Sequence, residues 1–227
     1  MNRITKFSLA AATALTVLSG AVHASDGIFG TGIVLSLTTG GVSSLDLFET
    51  TLLNDGRQAP LTSGGGVSHG APTLITTGGW DTGSGPSLGT FDTTQGDSLT
   101  LDGGEVLTFK NSGSDVTGAL VGYSINGAGF TEKGLSFNED NVSGNNGDQR
   151  WYSDSAISTD MLSGLSNGTY TLSVYYHATT NDGDKYANNN SNNFKATFTV
   201  VPEPSSLMML LSSCVCGTFY LIRRRRK

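Results

Sequence analysis

The chain predicts an all-β fold, an antiparallel β-sandwich or jelly roll, flanked by an N-terminal signal peptide and a C-terminal transmembrane helix. Three observations predict it. Apolar and polar residues alternate along the best-patterned segments. Gly, Asn, Ser and Thr dominate the stretches between them, as strand connections require. Between Ser25 and Val201 no segment sustains a helical period over three turns.

The clearest strand covers Tyr170 to His177. Tyr170, Leu172, Val174 and Tyr176 share one face, and Thr171, Ser173, Tyr175 and His177 the other, so the first set points to a core. Phe194, Ala196, Phe198 and Val200 alternate in the same way. The Asn-rich stretch Asn181 to Asn193 between them predicts an antiparallel hairpin with a long tip. Ser98 to Leu101 and Glu105 to Lys110 read as two strands joined by a tight turn at Asp102-Gly103-Gly104, a sequence suited to positive φ. Gly118 to Asn126, Gly129 to Phe137 and Gln149 to Ser153 supply further short strands, and Ile33 to Leu37, Leu45 to Phe48 and Leu74 to Thr77 weaker ones. Ile157 to Leu165 reads as a short helical turn. Glycine-rich turns spaced every ~8 to 15 residues suit a sandwich or jelly roll.

Both ends carry addresses. Arg3 and Lys6 precede an apolar run from Phe7 to Leu18, and Val22-His23-Ala24 places a small residue at a cleavage point, so residues 1–24 read as a signal peptide. The alternative, a retained membrane helix, falls short of the roughly 20 apolar residues that span hydrocarbon. At the other end, Pro202-Glu203-Pro204 precedes an uncharged stretch from Ser205 to Ile222, then Arg223, Arg224, Arg225, Arg226 and Lys227. As a helix that stretch would reach about 27 Å, enough for a thin bilayer. The terminal cations would stay on the cytoplasmic side and leave residues 25–201 outside.

A proline-flanked glutamate, an apolar helix and an arginine cluster, in that order at the extreme terminus, resemble the PEP-CTERM sorting signal of proteins exported by exopolysaccharide-producing Gram-negative bacteria. The resemblance covers residues 202–227. It implies a partner, the membrane-embedded cysteine transpeptidase exosortase, which would recognise Pro202, Glu203 and Pro204 and remove the sorting helix. An ordinary single-pass anchor behind a proline-punctuated linker is the plainer alternative. A second likeness joins Gly79-Trp80, Asp148-Gln149-Arg150-Trp151 and the segment from Asn167 to Gly183 to a β module recurring in exported bacterial proteins, and implies a fold without an activity.

Residues 25–201 amount to one domain, or at most two small ones. They hold eighteen acidic residues against six basic ones (Arg57, Lys110, Lys133, Arg150, Lys185 and Lys195), a net charge of −12. Such a surface repels nucleic acid and anionic lipid. The two cysteines, Cys214 and Cys216, lie in the C-terminal apolar stretch, so the middle of the chain has neither disulfide nor cysteine metal site.

Candidate chemistry is sparse. Gly66-Val67-Ser68-His69-Gly70 and Gly164-Leu165-Ser166-Asn167-Gly168 match the GxSxG nucleophile elbow, with His177 as the base either serine would need. Glycine and serine abundance alone yields about half a match, and the elbow requires a strand running into a helix, which neither context provides. His69 and His177 are too far apart in sequence, and lack the spacing, for a zinc motif. Glu139, Asp140, Asn141 and Asp148, and separately Asp182 and Asp184, offer oxygen ligands that would suit calcium, but neither group spells an EF-hand, and solvated acidic turns are the expectation, with no resident cofactor. Trp80, Trp151, Tyr152, Tyr175 and Tyr186 read as loop or outward-facing rings that would stack on sugar faces, against the commoner fate of burial in the core.

These features predict a non-enzymatic protein of the cell envelope or exopolysaccharide matrix, initially anchored in the inner membrane, with a structural, adhesive or glycan-associating role. A secreted hydrolase is the alternative.

Overall fold

The computed structural model describes residues 27–51, 73–75, 79–80, 83–110, 115–140, 147–155 and 157–201. The segments read as a signal peptide (1–24) and a sorting tail (202–227), and the first GxSxG match with Ser68 and His69, lie outside the described residues. Among the described residues no helix is long and apolar enough to cross a membrane.

Among the described residues twelve strands follow one another: β1 Gly27–Thr39, β2 Val42–Thr51, β3 Thr73–Ile75, β4 Ser87–Asp92, β5 Ser98–Phe109, β6 Val116–Ile125, β7 Thr131–Asp140, β8 Asp148–Ser153, β9 Thr159–Asp160, β10 Gly168–Thr180, β11 Lys185–Ala187 and β12 Phe194–Val201. They hydrogen-bond in the order β3-β2-β1-β5-β8-β7-β6-β10-β12-β4, with β11 on β10 and β9 on β5. β7 joins the two halves of this sheet. Its first residues, Thr131 to Leu135, pair with β6, while Ser136 to Asp140 pair with β8, with a register shift between Phe137 and Glu139.

The sheet curls at β7 so that its two halves face each other. The Thr50 hydroxyl on β2 donates to the Tyr176 hydroxyl on β10 across the gap at 3.2 Å. The space between holds Ile33, Leu35, Leu99, Leu101, Val106, Val121, Leu172, Val174, Tyr176 and Phe198, all at most 1 % exposed. β10 buries Leu172, Val174 and Tyr176 and half-buries Tyr170, and β12 buries Phe194, Ala196, Phe198 and Val200, as the alternation predicts; Ala178 extends the buried face of β10. The predicted hairpin is present: Gly168 to Val174 run antiparallel to Val200 to Phe194, and Tyr170 stacks on Phe198 at 5.5 Å.

Not every pairing is antiparallel. β2 runs parallel to β3, and β12 parallel to β4. Parallel neighbours cannot be joined by a tight turn, and both pairs are separated by long stretches of chain.

The tight turn read at Asp102-Gly103-Gly104 does not form. β5 runs straight through, and it changes partner there, from β9 at Thr100 and Leu101 to β8 from Gly104 onward. Asp102 is the extra residue of a bulge opposite Val34 and Leu35. Gly103 is needed for close approach: a Cβ there would sit 1.7 Å from the Ser153 carbonyl oxygen. The helical turn read over Ile157 to Leu165 is also absent. That segment forms β9 and a turn, in which Asp160 Oδ1 accepts from the Leu162 N–H at 2.9 Å and Met161 N–H donates to Leu99 at 2.8 Å.

Val34 and Leu47 point away from the space between the halves, and pack with Phe29, Leu107 and Tyr152 in a second apolar cluster. Beside them Arg150 reaches Glu105 at 2.9 Å and Glu139 at 2.5 Å.

Candidate functional site

Of the five rings read as candidates for stacking on sugars, three are in the interior. Trp80 is 1 % exposed and lies 6.0 Å from Phe48; Trp151 and Tyr152 are each 7 % exposed on consecutive, opposite-facing positions of β8. The sequence read them as surface rings, whereas β8, which carries Trp151 and Tyr152, is buried on both faces because the curled sheet packs one side and the Phe29–Leu107 cluster the other. Burial removes all three as platforms.

Tyr175 is different. It sits on the outer face of β10, directly opposite Gly122 of β6, whose own partner on β7 is Glu132. The ring lies flat over Gly122, where a Cβ would come within 2.3 Å of Tyr175 Cε1, so glycine is the residue that lets the ring settle. The Tyr175 hydroxyl donates to Glu132. Burial, then the adjacent carboxylate, push its ionisation up to about 12, so it remains a neutral donor.

Other rings extend from Tyr175 on both sides. Phe130 meets it edge-on at 5.0 Å, and Tyr186 lies 6.4 Å away. Tyr186 reaches this place because β11 pairs with β10 and sets it opposite His177, whose imidazole stacks on it at 4.6 Å with planes 7° apart. His177 Nε2 also lies 3.3 Å from Asp184 Oδ1, without hydrogen-bond alignment. Phe130 is 42 % and Tyr186 56 % exposed, so the row faces solvent. On the same face Leu120 lies between Gly134 and His177, and no atom lies within 4 Å of where a Gly134 Cβ would be. The result is a shallow apolar floor beside a row of four rings, edged by the carboxylates of Glu132 and Asp184.

The sequence singled out Tyr175 and Tyr186 as stacking rings, missed Phe130, and weighed His177 only as a base or metal ligand. Phe130 stands in the β6–β7 connection; what unites the four is pairing between strands distant in sequence.

Hydrolytic geometry does not assemble around the second GxSxG match. Gly164 to Gly168 form the turn entering a strand rather than a helix, and Ser166 accepts from the Tyr170 hydroxyl through its backbone carbonyl at 2.6 Å. His177 stands far along β10 from that turn, about 30 Å at ~3.3 Å per residue. Of the oxygen ligands weighed for calcium, Glu139 is held by Arg150, Asp148 is 3 % exposed, Asp184 faces His177, and Asn141 lies outside the described residues. Among the described residues no three His, Cys, Asp or Glu side chains converge on a point where a metal ion would sit.

No protein-family model matches the chain, and a search of curated proteins finds no match to it.

Proposed function

We propose that this is an exported, non-enzymatic protein of the cell envelope or exopolysaccharide matrix, sorted by an exosortase and associating with glycans through the outer face of β10. The observation that carries the glycan role is the solvent-facing row Phe130, Tyr175, Tyr186 and His177. Planar rings with polar edges suit the apolar faces of sugar rings, and the flanking carboxylates and tyrosine hydroxyl suit sugar hydroxyls. Glu132 and Asp184 at the edges, within an acidic domain, direct this face to neutral glycans.

The sorting half of the reading is supported by the terminal signals. In it, Ala24 ends the signal peptide, the apolar stretch from Ser205 to Ile222 spans the inner membrane before processing, and Arg223 to Arg226 hold its end in the cytoplasm. Exosortase is the implied partner, through Pro202, Glu203 and Pro204. The curled sheet is compatible with a jelly roll or sandwich whose outer surface carries the binding face.

A pull-down on native exopolysaccharide tests the glycan role. The whole protein should be retained with little change between low and high salt, and Tyr186→Ala should weaken retention by about 1 to 3 kcal/mol if its stacking matches that of other planar ligands. Tyr186 is exposed, so the fold should survive the change. Equal retention of the two proteins would remove the ring row from the binding account.

A further inference from the structure

Phe130, Tyr175 and Tyr186 stand on three separate elements: the β6–β7 turn, the outer face of β10, and β11. Strand register orders them. Tyr175 is level with Gly122 of β6 and Glu132 of β7. Tyr186 is opposite His177, two residues further along β10. Phe130 lies on the other side of the Tyr175 level, because the next residue, Thr131, pairs with Tyr123 and Tyr123 with Val174. The rings therefore cross the sheet obliquely, from the β6–β7 turn to β11, with centroid separations of 5.0 and 6.4 Å. Each step is close to the length of one sugar unit in an extended glycan.

Neither end of the row is walled. Beyond Tyr186, β11 pairs with no strand except β10, and in the turn before β11 a Cβ on Gly183 would meet nothing within 4 Å. Beyond Phe130, Gly127 and Gly129 of the β6–β7 turn are equally open. A pocket for a terminal sugar is concave and closed on its far side, whereas here the two end rings are themselves exposed. The rings also share no plane: Phe130 stands at 67° to Tyr175 and Tyr186 at 44°. The flat face of a packed fibre would not meet all three, while a single chain that turns along its length lays one unit on each. The row is already formed without a ligand, since Glu132 holds the Tyr175 hydroxyl and His177 stacks on Tyr186, which lowers the cost of ordering it on binding.

Resting on the glycan reading above, we propose that the row is an open-ended track for the interior of a single neutral glycan chain, with one sugar unit on each of the three rings, and not a pocket for a chain end. Recognition of chain interiors gives a matrix protein many equivalent positions along every polymer, where recognition of ends would give one.

Retention of the whole protein on native exopolysaccharide, competed by size-sorted fragments of the same polymer, tests it. Compared per molecule, competition should strengthen from one unit to three by roughly tenfold or more, and change little from three units to six. A bulky fluorophore on the reducing end of a six-unit fragment should leave its competition unchanged. Phe130→Ala and Tyr186→Ala, at exposed positions where the fold should survive, should each end the gain at two units. A single unit competing as well as three, loss of competition on blocking the reducing end, or retention that no soluble fragment competes would each overturn the track and leave the glycan reading in place. Both variants following the wild-type length series would overturn it as well. Failure of the wild type to be retained on the polymer at all would remove the glycan reading itself, and the track with it.

Discussion

Glu105 has no exposed surface, and burial raises its ionisation from an ordinary 4.5 to about 7, with Arg150 opposing that rise and Glu139 adding to it. A carboxyl raised in the folded state holds its proton more tightly there than in the unfolded chain. Its contribution to stability is therefore complete below about pH 4.5 and is lost as pH rises through about 7. At ~1.36 kcal/mol per unit the loss is of order 3 kcal/mol. Denaturant unfolding at pH 5 and pH 8 should show the wild type losing stability across that interval and Glu105→Gln losing markedly less. Parallel losses in both proteins would mean that Glu105 is not the titrating group. Glu49 and Asp102 are also raised, chiefly by burial, and contribute in the same direction in both proteins.

At the scale of the element, β10 carries the core on one face and the ring row on the other. Leu172 is fully buried, so Leu172→Ala should cost about 2 to 5 kcal/mol, whereas Thr171→Ala on the outer face should cost far less. Equal shifts in denaturant midpoint would show that the strand is not sided in this way. Gly103→Ala tests the partner change in β5: its Cβ would meet backbone, not a flexible side chain, so the loss should exceed the ~1 kcal/mol typical of point substitutions. An unchanged melting temperature would contradict that close approach.

These elements also show how far the sequence could be read. Alternation revealed β10 and β12 because each has one face in the core and one in solvent. It failed at Asp102-Gly103-Gly104, since a glycine demanded by crowding and a glycine demanded by a turn look the same in one dimension. Trp151 and Tyr152 were misread as surface rings because β8 is covered on both sides and so lacks alternating burial, and Trp80, in a turn before β4, packs inward on Phe48. The Asn-rich hairpin tip concealed β11, three residues long, which sets Tyr186 against His177. β4, with only Leu88 and Phe91 as buried apolar residues, offered too short a pattern to notice.

For the whole molecule, the function proposed above joins the acidic middle, the curled sheet and the two terminal segments: a folded domain that would be delivered outside, released from its membrane helix, and present an outer face to the matrix. Retention through the proposed ring row should vary little with ionic strength, because stacking on neutral sugar faces neutralises no charge.

The most direct measurement is the intact mass of the protein recovered from the envelope of a host that has an exosortase. The account predicts a chain that begins at Ser25 and ends near Pro204, without the apolar stretch and the arginines. A mass that still includes Arg223 to Lys227 would contradict exosortase processing.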